Sequence, residues 1–181
     1  PAPFPLRAAD GLPQAVDPGG GRTVKYVVGV ADMAIASAPG DVIVTHALGS
    51  CLGVAVYDPA ARIGGLLHVM MPMSDVNPEK ARSNPFMFVD TGVPAFMTAL
   101  FNRGVDRRRM VVKVAGGANV HDNEDRFAIG KRNYTVLKKL LWKNNVLIEA
   151  EDTGGSHPRT MSLDIDTGAV TLSTAGVSAR L

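Results

Sequence analysis

Short β-branched runs follow one another along most of this chain, each closed by a turn signal, and two helix-length amphipathic segments interrupt them. Val24 to Val30 and Met33 to Ala36 read as strands. Asp41 to Thr45 follows the Pro39-Gly40 turn. Leu52 to Tyr57 and Ile63 to Val69 form a hairpin around Asp58-Pro59-Ala60-Ala61. Met110 to Ala115 is a buried strand stopped by Gly116-Gly117, and Val146 to Ala150 is another. Arg159 to Ile165 and Ala169 to Ser173 make a last hairpin around Asp166-Thr167-Gly168.

Between these strands, Val93, Phe96, Met97, Leu100 and Phe101 fall on one helical stripe. They predict a helix over 90–103, capped by Asp90 or Thr91 and ended by Gly104. A second helix over 130–144 buries Tyr134, Leu137, Leu140 and Leu141 and leaves its lysines outside. The order is not a regular βαβ alternation, so the expected class is α+β, with helices packed on mixed or antiparallel sheets. Residues 1–22, rich in Pro, Gly, Ala and Asp, are expected to be a flexible lead-in. Residues 23–181 are expected to form a single domain.

The single cysteine, Cys51, excludes an intramolecular disulfide and any multi-cysteine zinc site. The chain starts Pro1-Ala2-Pro3-Phe4, without the basic-then-apolar pattern of a secretion signal, so a cytoplasmic location is expected. No run is apolar for long enough to span a bilayer as a helix. The net charge of +2 selects no class of partner. Arg103, Arg107, Arg108 and Arg109 have no interleaved aromatics, which argues against nucleic-acid binding.

Cys51 stands among small residues in Thr45-His46-Ala47-Leu48-Gly49-Ser50-Cys51-Leu52-Gly53, at the start of a strand. Alone, a single cysteine is more often a small core hydrophobe than a nucleophile. The hairpin changes the balance. With a loop of Asp58 to Ala61, Tyr57 pairs with Arg62 and Cys51 falls opposite His68, their Cβ atoms roughly 4.5–5.5 Å apart. An imidazole at that distance takes the thiol proton, lowers the thiol pKa and later protonates a leaving amine. Thr45 is the candidate to orient the ring, and the backbone around Gly49 and Ser50 to face an oxyanion. Gly49 and Gly53 leave room for another molecule to approach. His46 lies on the opposite strand face from Thr45, and His121 and His157 lie in polar loops. A zinc site from His46, His68 and Cys51 lacks close ligand spacing, so neither metal nor other cofactor is expected.

These residues resemble the CheD chemoreceptor glutamine deamidases. The resemblance rests on Thr45, Leu48-Gly49-Ser50-Cys51, Gly65, His68 and Met71-Pro72. It continues through Lys113 to Ala118, Ile129 to Asn133, Asp152 to Gly155, Arg159 and Thr167-Gly168, in that order. It implies a β-sandwich flanked by helices, similar to the catalytic domain of cytotoxic necrotizing factor toxins. It also implies a protein-glutamine glutaminase with Cys51 as nucleophile, His68 as base and Thr45 as the third group. The implied substrates are glutamines on the cytoplasmic helices of chemoreceptors, and the implied further partner is a CheC-type phosphatase. Two other readings stand beside this one: a non-catalytic module that binds receptor helices or such a phosphatase, and a general cysteine hydrolase.

Overall fold

The computed structural model describes residues 23–119 and 128–181. The expected lead-in, 1–22, and His121 lie outside the described residues. Among the described residues, ten strands make two five-stranded mixed sheets. The first sheet holds β1 (Lys25–Val28), β3 (Val42–Leu48), β8 (Arg159–Asp164), β9 (Val170–Thr174) and β10 (Val177–Arg180), in that spatial order. The second holds β2 (Asp32–Ala36), β5 (Ile63–Val69), β4 (Leu52–Asp58), β6 (Val111–Gly116) and β7 (Ala150–Thr153). Each sheet has one parallel pair, β1 with β3 and β6 with β7, and is otherwise antiparallel.

Three α-helices lie among the described residues, α1 (Pro78–Ser83), α2 (Val89–Asn102) and α3 (Ile129–Lys143), with short 3-10 turns at Ser74–Val76 and Pro85–Met87. Two apolar layers explain the stacking. Ile43, Leu48, Met161 and Leu163 of the first sheet meet Ala55, Tyr57 and Leu66 of the second. On its other face the second sheet packs Val54, Val56, Leu67 and Val69 against Phe96, Met97 and Leu100 of α2 and Leu137 and Leu141 of α3. β4 is therefore covered on both faces, and every one of its residues is buried. The α+β architecture with helices on the sheets is as the sequence pattern predicts.

Several details differ. α2 begins at Val89 with no side-chain cap. Asp90 instead accepts from the Ser74 amide and hydroxyl, and the Thr91 hydroxyl donates to the Pro85 carbonyl. The strand expected over 146–150 forms later, at Ala150–Thr153, because Val146 is held in the α3 C-terminal turn by its amide bond to Leu141 O. Strand β10 and helix α1 had no expectation attached to them.

The β4–β5 hairpin has a register different from the one expected. Asp58 stays in the strand opposite Ile63, and the loop is residues 59–62. The cause is the Asp58 carboxylate, which accepts from the amides of Ala60 and Ala61 at 3.0 and 3.2 Å and so closes the turn one residue later. His68 is consequently opposite Gly53, not Cys51. The displacement is an even number of residues, so the side chains keep their faces. Cys51 becomes a diagonal neighbour of His68, a relationship with a typical spacing of roughly 7–8 Å and somewhat less between Cβ atoms.

Candidate active site

The site lies where β3, β6 and β7 end, β5 ends and β4 begins. In β3 the pairing with β8 shifts between Thr45 and Leu48, and Ala47 takes a positive φ of 57°. A bulge of this kind puts two successive residues on the outer face. His46 and Ala47 are both exposed, while Thr45 and Leu48 on either side are fully buried. His46 is thereby turned from the interior, with Nδ1 3.2 Å from the Thr160 hydroxyl.

Beyond the bulge, Gly49, Ser50 and Cys51 form the turn into β4, all three partly buried. Their carbonyls are held one after another. The Ala118 amide donates to Gly49 O at 2.8 Å and the Gly117 amide to Cys51 O at 2.8 Å. The Asn133 side-chain Nδ2 donates to Ser50 O at 2.9 Å. The glycine pair after β6 is thus part of the site's frame. A Cβ on Gly116, whose φ is +110°, would lie on the Cys51 carbonyl. The first turn of α3 packs just as closely, since a Cβ on Gly130 would strike the Gly117 carbonyl. A second strap runs from β7: the Gly154 amide donates to Gly116 O, and Arg159 pairs with Asp152 while donating to Gly154 O.

Gly53 does something other than expected. It is buried between the sheets, and a Cβ there would stand 2.8 Å from both Leu48 Cδ1 and Met161 Sδ. Its lack of a side chain makes room for the neighbouring sheet, not for another molecule.

His68 is fully buried between the sheets. Its Nδ1 lies 2.7 Å from Thr45 Oγ1, and that hydroxyl also contacts Val28 O at 2.8 Å. The hydroxyl has one proton, and the carbonyl can only accept it. The ring must therefore donate from Nδ1 to Thr45, which leaves Nε2 as the lone-pair nitrogen. Nε2 is buried and has no protein partner among the described residues. Burial holds the imidazole pKa down at about 4. Burial also raises the Cys51 thiol, against a smaller opposing pull from the residue's own amide. Burial thus favours the neutral form of each group, a protonated thiol and a free base, and works against the expected lowering of the thiol pKa by the imidazole. Cys51 packs with the inter-sheet core, on the face that carries His68.

The structure thus brings Thr45 and His68 into hydrogen-bond contact, sets Cys51 diagonal to His68, and puts Gly49 and Ser50 in the turn that presents the thiol. The sequence does not mark Asn133 as a site residue, because an asparagine in the first turns of a helix ordinarily reads as a brace or a cap; its spacing with Leu137 and Leu141, which sets a polar residue on the buried stripe, is the signal that points to it. Among the described residues no group of three His, Cys, Asp or Glu side chains is arranged to hold a metal ion. His157 is exposed and contacts the Ser156 hydroxyl.

Comparison with known proteins gives the family. The model of "CheD chemotactic sensory transduction" matches residues 70–174, a span that begins just after Thr45, Cys51 and His68. Similarity to whole proteins extends further. The "Probable chemoreceptor glutamine deamidase CheD" of Solibacter usitatus is 46% identical over 157 residues, covering 87% of this chain and 93% of that protein. CheD 1 of Syntrophus aciditrophicus, with the same description, is 45% identical over 150 residues, 83% of this chain and 94% of its own. CheD 2 of Anaeromyxobacter dehalogenans is 43% identical over 145 residues, 80% and 91% of the two chains. With more than half of its length matched by the family model and near-complete coverage of relatives above 40% identity, the chain belongs to the CheD family.

Proposed function

We propose that this protein hydrolyses glutamine side chains of chemoreceptors to glutamate and ammonia, with Cys51 as nucleophile, His68 as general base and then acid, and Thr45 as the group that orients the ring. The names of the relatives supply the substrate. The observation that carries the chemistry is the tautomer of His68, with Nδ1 committed to Thr45 and a buried, unpartnered Nε2 on the face shared with Cys51.

In this reading Nε2 takes the thiol proton as sulfur attacks the glutamine Cδ, so no thiolate need be stored beforehand. The carbonyl electrons move to oxygen, and the amides of Ser50 and Cys51 meet the charge, the Gly49 amide being held by Ala47 O. When the tetrahedral species collapses, the imidazolium returns its proton to the departing nitrogen, and ammonia leaves a thioester. Water, deprotonated by the same Nε2, then attacks the thioester carbon. The C–S bond breaks, glutamate is released, and the sulfur regains its proton. No metal or other cofactor enters the sequence. The neutral resting pair suits a base that must be free at neutral pH.

The likeness to the catalytic domain of cytotoxic necrotizing factor toxins belongs to the same reading, as does a cytoplasmic site of action for residues 23–181 as one deamidase domain. No helix among the described residues is long and apolar enough to cross a membrane. A CheC-type phosphatase as a further partner rests on the family resemblance alone.

The test uses a chemoreceptor cytoplasmic fragment from the same organism, with the near-unit mass gain of Gln-to-Glu conversion followed by peptide mass spectrometry. Wild type should convert specific glutamines, and Cys51→Ala and His68→Ala should not. Conversion that persists in Cys51→Ala would overturn the nucleophile, and no conversion by folded wild type would overturn the activity.

A further inference from the structure

We infer that Asn133 is a positioning residue, whose side-chain amide orients the Ser50–Cys51 peptide so that the Cys51 N–H meets the oxyanion formed on the substrate. The inference rests on the deamidase reading and goes beyond it, by giving a helix residue outside the Cys–His–Thr set a share in the chemistry.

Asn133 is fully buried in the second turn of α3. Its Nδ2 donates to two carbonyls, Ser50 O and Met70 O, both at 2.9 Å. Those two acceptors fix the amide's orientation, since the flipped group would set oxygen against oxygen. In a trans peptide the C=O and the following N–H point to opposite sides, and no cis bond occurs among the described residues. Drawing Ser50 O inward to Asn133 therefore turns the Cys51 N–H outward. The Ala118 amide does the same one peptide earlier: by holding Gly49 O it turns the Ser50 N–H away from the protein. The Cys51 N–H belongs to the residue that bears the nucleophilic sulfur, so a tetrahedral adduct at that sulfur would carry its oxygen within reach of it.

Two further observations separate this role from plain packing. The bond to Met70 O ties the nucleophile turn to the chain two residues past His68, so one side chain sets the spacing of both reacting groups. And the residue is expensive as a core element. Asn133 Oδ1 is buried without a protein partner among the described residues, and the only other such side-chain atom there is His68 Nε2. Unsatisfied buried polar atoms in a native fold call for an explanation; one of these belongs to the residue that holds the turn, the other to the proposed base. A leucine in line with Leu137 and Leu141 would complete the stripe without that cost.

The test is Asn133→Ala beside Leu141→Ala, a variant that weakens the same buried stripe of α3 away from the turn. Three quantities are read: melting temperature, kcat and KM on a receptor peptide, and the rate at which iodoacetamide alkylates Cys51. Alkylation forms no oxyanion, whereas amide hydrolysis does. Loss of one oxyanion donor typically lowers kcat about 10²–10³-fold. Asn133→Ala should show a fall of that order, with KM and alkylation within about 3-fold of wild type, while Leu141→Ala keeps most of its kcat despite lower stability. The inference is overturned if Asn133→Ala keeps kcat within about 3-fold, if alkylation falls in parallel with kcat, or if Leu141→Ala loses as much. Should Asn133→Ala not fold, wild type answers the question alone. A peptide aldehyde in place of the target glutamine forms a thiohemiacetal at Cys51, and its oxygen should move the Cys51 amide proton downfield in NMR spectra. An unmoved amide proton in a formed adduct overturns the inference. Failure of wild type to convert any receptor glutamine sinks the deamidase reading itself, whereas conversion by wild type with an indifferent Asn133→Ala sinks only the inference.

Discussion

His68 Nδ1 donates to Thr45 Oγ1 across 2.7 Å from one sheet to the other, and the same hydroxyl donates onward to Val28 O. The relay runs between the two sheets, so the tautomer of the ring depends on how they pack against each other. Removing the hydroxyl while keeping the shape isolates this effect. Thr45→Val should leave the buried Nδ1–H unpaired, at a cost of about 1–3 kcal/mol in stability. It should also free the ring to adopt the other tautomer, lowering kcat on a receptor peptide on the order of 10²-fold. Thr45→Ser keeps the hydroxyl and should recover most of the rate. Initial rates by mass spectrometry and melting curves decide it. Equal activity in the Val and Ser variants would remove Thr45 from the mechanism.

Burial of His68 has a consequence for stability that can be read without any substrate. The folded ring titrates at about 4 against an ordinary value of 6.5. Between those values the unfolded chain binds a proton that the folded chain does not, so stability must fall as pH drops through this window. The contribution is intact above about pH 6.5, and by pH 5 the loss from this group comes to roughly 2 kcal/mol. In His68→Gln that component is absent. Urea melts at pH 7.5 and pH 5.0 should show wild type losing about 2 kcal/mol more than the variant between the two conditions. A matched loss in both proteins would mean that the folded ring titrates like the unfolded one and that burial does not hold its pKa down.

How much of this was legible in the sequence depends on which interactions were local. Strand identities in the first hairpin, the two long helices and the last hairpin follow from patterns within one element. The common face of Cys51 and His68 was also legible, because side-chain direction alternates and survives an even shift in register. The register itself was not. It is decided by Asp58 accepting the amides of Ala60 and Ala61, a choice that composition of the loop leaves open. Gly53 misled for a related reason: its neighbours Leu48 and Met161 are distant in sequence and come from the other sheet, so its crowding has no local sign. Asn133 reaches residues 83 and 63 positions away, and the thiol pKa depends on burial, a property of the assembled layers. The contact of Thr45 with His68 is equally long-range: the hydroxyl's chemistry made Thr45 a candidate to orient the ring and the family resemblance supported it, but spacing did not show the contact.

The two glycines that strap the nucleophile turn make opposite predictions, although each has a positive φ. Gly116, at φ +110°, has the Cys51 carbonyl where a Cβ would sit, and that carbonyl is backbone that cannot swing aside without moving the turn. Gly154, at φ +80°, has nothing within 4 Å of the same position. Alanine at Gly154 therefore carries only the strain of a left-handed backbone, about 1–2 kcal/mol. It should cost a few degrees of melting temperature while leaving kcat near wild type, because the Gly154 amide can still donate to Gly116 O. Alanine at Gly116 must either unfold the β6 end or push Cys51 O off the Gly117 amide, and with it the peptide that carries the thiol. We expect kcat to fall at least 10²-fold in the fraction that folds. Cys51 should also be alkylated faster than in wild type, as the loosened turn exposes the sulfur. If Gly116→Ala instead keeps the wild-type kcat and the wild-type alkylation rate, the strap from β6 does not set the nucleophile's position.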